Sequence, residues 1–343
     1  MDELFLLTLP NVIALCVMVA LNVYVVLGGA DFGGGVWDFF ATGPRKREQR
    51  ELIAHAIGPI WEANHVWLIV VIVLLFTCFP PVFVTLMTYL HIPLVLLLIG
   101  IVLRGSAFTF RAYDTGSGES SKRWGRVFAV TSILTPIFLG VCVGTVASGA
   151  LGRIGATTEA YDTYVAPWLA LLPLACGFLT LVAFAFLAAV YLTIEANTDA
   201  LRDDFRRRAL WTAAAMFVTA FGTLGILHQS APALRQALTA TPWAIPLHVA
   251  TGIAAVLAIW ALWRRRWHLA RVAAVVQVSC ILWGWGASQY PDLIPGRLTI
   301  ADAAAPTITL RITLVALASG AVILIPSLWY LFRVFKRNRE AAI

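Results

Sequence analysis

An all-α fold that crosses a membrane nine times is predicted by three features of the sequence. Charged residues make up 13% of the 343 positions against 60% hydrophobic ones, and mean hydropathy is +0.83, whereas soluble domains carry about one-quarter charged residues. Most of the charges are gathered in short linkers, leaving apolar blocks of about 20 residues or more, the length that spans a hydrocarbon core. These blocks are well over the ~10 residues of a spanning strand and do not alternate, so a transmembrane barrel is excluded.

Taken in order, the first helix is expected over about 5–27, where apolar residues run unbroken into the glycine-rich GGADFGGG. The second covers about 52–79, crosses Pro59, Glu62 and His65, and stops at Pro80-Pro81. That proline pair reads as a tight turn returning the chain at once into a third helix over about 82–103. A polar segment from Arg104 to Arg126 separates it from the fourth, about 127–149. After a loop with Glu159 and Asp162 comes the fifth, about 165–192, which YLTIEANTDALRDDFRRR extends as helix beyond the membrane. The charges of that extension, Asp203, Asp204, Arg206, Arg207 and Arg208, read as a solvated ladder. The sixth, seventh and eighth helices span about 209–229, 243–262 and 268–289, the last two joined by WRRRWH with its interfacial tryptophans. Asp292 and Asp302 read as turn and cap residues in the loop before the ninth helix, about 308–332. The whole chain, 1–343, reads as one integral membrane domain of two packed four-helix groups plus one extra helix.

Nine spans put the two ends of the chain on opposite sides. Of the 25 Lys and Arg residues, all but Arg153, Arg235, Arg297 and Arg311 fall on one side of this layout. The positive-inside rule makes that side cytoplasmic, with the N-terminus outside and the C-terminus in the cytoplasm. The net charge of +7 therefore belongs to helix anchoring, and a nucleic-acid partner is not expected. Cys16, Cys78, Cys142, Cys176 and Cys280 lie apart in apolar runs, which indicates buried free thiols and no redox pair. The acidic start MDELFLLTLPN and the lack of an A-x-A-like site argue against a cleavable signal peptide.

Carboxylates amid so much apolar sequence are costly unless they pair, protonate or meet water, and acids so placed line proton or ion paths. Asp31, Asp38, His55 and Glu62 gather toward the cytoplasmic half, because the first helix leaves the membrane there and the second enters from the same side. Helix capping is the plain alternative for Asp31 and Asp38. His55 and His65 have the wrong spacing for one helix face and form no H-E-x-x-H pattern; no metal, catalytic or cofactor-binding set is assigned. His91 reads as a satisfied core residue, and His228 and His248 as interfacial. Arg104 and Arg111, seven residues apart, share a helix face and are placed to neutralise Glu62 or Asp31, with lipid headgroups as the alternative.

Together GGADFGGG (28–35), IGPIWEANHVWLI (57–69), LRGSAFTFR (103–111), SQYPDLIPG (288–296) and LTIADAAAPTITL (298–310) resemble subunit II of the cytochrome bd quinol oxidases, the cyanide-insensitive branch included. The resemblance runs through the whole chain in order. It implies a bacterial inner-membrane subunit paired with a haem-bearing subunit I, the two together oxidising quinol and reducing dioxygen to water. The b- and d-type haems are then expected in subunit I, with none held by this chain. In some members the resemblance adds a structural quinone or lipid site; whether a small accessory subunit joins is left open. Asp31 matches the family acid at the end of the first helix, and Glu62 the acid of the W-[DE]-x-N-x-V-W-L motif, which in some members takes up cytoplasmic protons. Trp61, Asn64 and Trp67 accompany it, as Arg104 and Arg111 accompany the third helix. Thr109 stands where many members carry another acid of that path. Threonine relays through water but holds no proton charge, and Asp114 lies a little over one turn beyond as a compensating acid. A purely structural scaffold subunit and a proton-coupled transporter are the competing readings.

Overall fold

The computed structural model describes residues 8–58, 61–113, 119–155 and 157–337. Among them nine helices are long and apolar enough to cross a membrane. Helix α1 is Leu9–Phe39, α2 Lys46–Ile57, α3 Trp61–Cys78, α4 Pro80–Tyr89, α5 His91–Tyr113 and α6 Glu119–Ala147. Short α7 (Ala160–Tyr164) and α8 (Ala166–Leu169) lead into α9, Leu171–Glu195. The chain ends with α10 (Asp199–Ser230), α11 (Pro232–Ala240), α12 (Ala244–Trp263), α13 (Trp267–Gln289) and α14 (Thr307–Arg337).

Several elements differ from expectation, among them the third helix, which is two, α4 and α5, divided at Leu90. Helix α1 does not stop at Gly28 but runs on through the glycines to Phe39, because those glycines fit against neighbouring helices and so cost less than they gain. The expected second helix is two, α2 and α3, which lie on either side of Pro59. Pro80 and Pro81 make no tight hairpin: they occupy the first turn of α4, where a missing amide N–H costs nothing. The charged RDDFRRR stretch belongs to the start of α10, not the end of α9. Thr198 caps that start, its hydroxyl accepting from the Leu201 amide at 3.3 Å.

Helix α9 lies at the centre, with every residue from Ala183 to Val190 buried, as befits a helix apolar all round. It packs on α1, α6, α10 and α13; α5 pairs with α6, α12 with α13, and α3 with α1. Helix α14 touches α1 and α3 and is otherwise exposed. One end of the molecule carries the basic linkers. At the other, a two-stranded antiparallel hairpin, β1 (Asp292–Ile294) and β2 (Leu298–Thr299), closes the loop before α14. Asp292 and Asp302 serve as turn residues there, accepting from the Gly296 amide at 3.2 Å and the Thr299 hydroxyl at 2.6 Å.

Candidate functional site

The glycines of α1 create the site by letting the helix approach its neighbours. A Cβ on Gly33 would lie 2.5 Å from the Phe184 carbonyl carbon and 2.7 Å from the Ala188 Cβ of α9. One on Gly35 would overlap the Ser132 hydroxyl of α6. Contact this close is the small-residue packing of membrane helices. It leaves Asp31 4% and Asp38 1% exposed.

Asp31 is held from two other helices. Its Oδ2 accepts from Asn64 Nδ2 of α3 at 2.7 Å, and its main-chain carbonyl accepts from Arg104 Nη2 of α5 at 2.8 Å. Arg104 is itself 2% exposed. Its Nε donates to Ser132 Oγ at 3.2 Å, and its guanidinium lies 4.6 Å from the Phe32 ring centre and 5.3 Å from that of Phe128. One buried acid and one buried guanidinium, stacked on aromatic faces, compensate each other where neither would be tolerated alone.

Seven residues along each helix a second Arg–Asp contact joins the same two helices. Arg111 Nη1 of α5 lies 3.0 Å from Asp38 Oδ1 of α1, a carboxylate contact, whereas Arg104 one step deeper bonds the Asp31 main-chain carbonyl. Arg50 of α2 adds a charge 3.7 Å from Asp38 Oδ2 and bonds the Asp38 carbonyl at 3.3 and 3.2 Å. A cleft of about 220 Å³ opens beside this pair, lined by Asp38, Arg50, Glu51, Phe108 and Arg111 among others. Acid spacing on α1 thus equals base spacing on α5, a register that sequence reasoning passed over although both sevens were legible. Ser132, Arg50 and Phe128 were also missed; they come from distant stretches and carry no motif.

The other expected residues are placed as follows. Asn64, Asp31 and Arg104 come together, and Trp61 packs on Phe108 with ring centres 6.2 Å apart. Trp67 is half-buried against the main core. Glu62 stands exposed on α3, two residues from Asn64 and so on a different face. Thr109 is exposed on α5, its hydroxyl donating to the Gly105 carbonyl at 3.1 Å. Asp114 lies outside the described residues. Among the described residues no group of three or more His, Cys, Asp or Glu side chains is placed to hold a metal ion.

Most of the ladder on α10, expected to be solvated, clamps the basic end instead, while Arg207 stays exposed. Arg45 Nε and Nη2 grip Asp204 at 2.9 and 2.7 Å, and Gln49 donates to the same carboxylate at 2.9 Å. The Asp204 carboxylate raises the pKa of Arg45 above its ordinary value. Arg208 donates to Gln49 Oε1 at 2.7 Å, and Arg206 to the Leu262 carbonyl at 2.8 Å, tying α10 to α2 and α12. Free carbonyls at helix ends and the chain reversal between α9 and α10 make these side chains inward-reaching.

Comparison with known proteins places this architecture. The cytochrome bd ubiquinol oxidase subunit 2 of Bacillus subtilis is 36% identical over 126 residues, 37% of this chain and 36% of that protein. The cytochrome bd-I ubiquinol oxidase subunit 2 of Escherichia coli K12 is 28% identical over 136 residues, 39% of this chain and 35% of its own length. Each match thus spans only about a third of the relative. The fold matches a chain in the structure of the bd oxidase from Geobacillus thermodenitrificans with a TM-score of 0.72 at 23% identity, covering 96% of this chain and 99% of that one. The family model for cytochrome bd terminal oxidase subunit II matches residues 9–335, nearly the full sequence, and the chain belongs to that family.

Proposed function

We propose that this chain is the haem-free subunit of a quinol-oxidising, dioxygen-reducing complex of the bacterial inner membrane, paired with a haem-bearing subunit I. The observation that carries this is the family match over residues 9–335. Its nine candidate spans support a membrane location. The bias of Lys and Arg to one end supports an N-terminus outside and a C-terminus in the cytoplasm. We group α1, α3, α5 and α6 against α9, α10, α12 and α13, the two groups meeting where α9 packs on α1 and α6, with α14 as the ninth span. A small accessory subunit, a quinone and bound lipid complete the assembly.

Within it the chain supplies cytoplasmic protons. Asp31, buried and hydrogen-bonded to Asn64, is the internal proton-holding group, while exposed Glu62 and Thr109 serve on the outer surface of α3 and α5, with Asp114 beyond. A carboxylate at this depth exchanges protons when its surroundings keep its two forms close in energy. Trp61 and Trp67 wall the site, and Arg104 and Arg111 set its charge. The scaffold reading has one observation in its favour, the Arg111 pair that occupies Asp38. Oxygen consumption of the assembled oxidase carrying Asp31→Asn or Glu62→Gln separates the two. Slower turnover at unchanged haem content is expected; wild-type turnover in both variants refutes proton uptake through these acids.

A further inference from the structure

Two buried polar atoms on α1 and α3, the helices joined by the Asp31–Asn64 bond, have no hydrogen-bond partner among the described residues: the Tyr24 hydroxyl and His65 Nδ1. Tyr24 is 0% exposed and lies on α1 seven residues before Asp31, two turns or about 10.5 Å toward the opposite end on nearly the same face. It is also the midpoint of the 31-residue helix. His65 follows Asn64 on α3, so it too lies on the far side of Asp31 from the basic end. The His65 ring sits 5.8 Å from that of Tyr24 and 5.7 Å from that of Phe32. Phe32 in turn carries Arg104 on its face.

Buried hydroxyls and imidazole nitrogens are almost always satisfied, and where protein offers no partner, ordered water does so. Here two such atoms belong to side chains of different helices whose rings lie 5.8 Å apart. A phenol donates and accepts through one oxygen, and a neutral imidazole has one nitrogen of each kind. Together with water they have the composition of a proton relay.

We propose that His65 and Tyr24, bridged by water, extend the route from Asp31 toward the midpoint of α1. This deepens the proton-uptake reading above and rests on it. Asp31 releases its proton to water on the His65 side. The imidazole accepts at Nδ1 and gives up its Nε2 proton to the water that bridges to Tyr24, whose hydroxyl hands on a proton while receiving another, so no net charge is left on either ring. Arg104, beneath Phe32, keeps excess positive charge from lingering there.

The test uses the intact oxidase with Tyr24→Phe and, separately, His65→Phe. A positioned proton-transfer group contributes about a hundredfold or more. With water bypassing part of that, oxygen consumption should fall roughly tenfold in each variant at unchanged haem absorbance, with a larger solvent deuterium isotope effect. His65→Gln, which still bonds water, should recover part of the rate. If His65→Phe lowers haem content, Tyr24→Phe, which keeps the ring and its packing, decides alone. Wild-type turnover and isotope effect in Tyr24→Phe would overturn the proposal. If Asp31→Asn is slow while Tyr24→Phe and His65→Phe are not, the relay fails and proton uptake at Asp31 stands; if Asp31→Asn is also unaffected, both fail.

Discussion

Replacing Gly33 by alanine adds one methyl group at the closest approach of α1 and α9. Its Cβ would lie 2.5 Å from the Phe184 carbonyl carbon and 2.7 Å from the Ala188 Cβ. Both are fixed by the backbone of α9, so relief requires moving one helix off the other. Overpacking of this kind costs about 1–3 kcal/mol, occasionally more, while the same substitution gains about 1 kcal/mol in helix propensity. Gly225 on α10 offers the control, since a Cβ there meets no atom within 4 Å. The propensity gain is common to both variants, so their difference isolates the clash at about 1–3 kcal/mol, roughly 5–150-fold in an equilibrium constant. Heating both complexes in one detergent at one scan rate gives the order of their midpoints. Gly33→Ala should melt below wild type and Gly225→Ala at or above it. A Gly33→Ala complex as stable as Gly225→Ala would refute the close packing that buries Asp31.

Three further outcomes follow from the charged groups. Arg111→Met leaves Asp38, 1% exposed, with only the longer Arg50 contact, and should destabilise the complex measurably but by less than the about 3–5 kcal/mol of a wholly unpaired buried charge; adding Asp38→Leu should restore most of it, as thermal melts of both variants will show. Arg45→Ala should cost far less, about 0–1 kcal/mol, because Arg45 is 37% exposed; a loss comparable to that of Arg111→Met would contradict the distinction. A fluorescent protein that folds only in the cytoplasm should glow when fused after Ile343 and stay dark when fused before Met1, and the reverse pattern would invert the topology.

Hydropathy made the nine spans legible because burying an apolar block in lipid depends on local composition alone. Helix ends were less legible where neighbours decide them. Whether α1 stops at Gly28 depends on Phe184 and Ala188, more than 150 residues later, and the proline pair at residues 80 and 81 is equally compatible with a turn and with the first turn of α4. In the site, Asp31 and Asn64 were legible as a pair of neighbouring motifs, and Arg104 as a nearby cation. That Arg111 serves Asp38, and that Glu62 faces away from Asn64, depends on helix rotation and register, which motif spacing within one helix does not encode. The polar ladder on α10 misled for a related reason. A run of charges reads as solvated until helix packing brings Arg45, Gln49 and Leu262 within its reach.

The most direct measurement is purification of the native complex through a tag on this chain, with its visible spectrum and oxygen consumption recorded for wild type and Asp31→Asn. Co-purification of a haem-bearing partner, quinol-dependent oxygen uptake, and a slower Asp31→Asn complex with the same haem absorbance are expected. A chain that purifies alone without haem absorbance would contradict its place in such a complex, and an Asp31→Asn complex that turns over at the wild-type rate would contradict its part in proton supply.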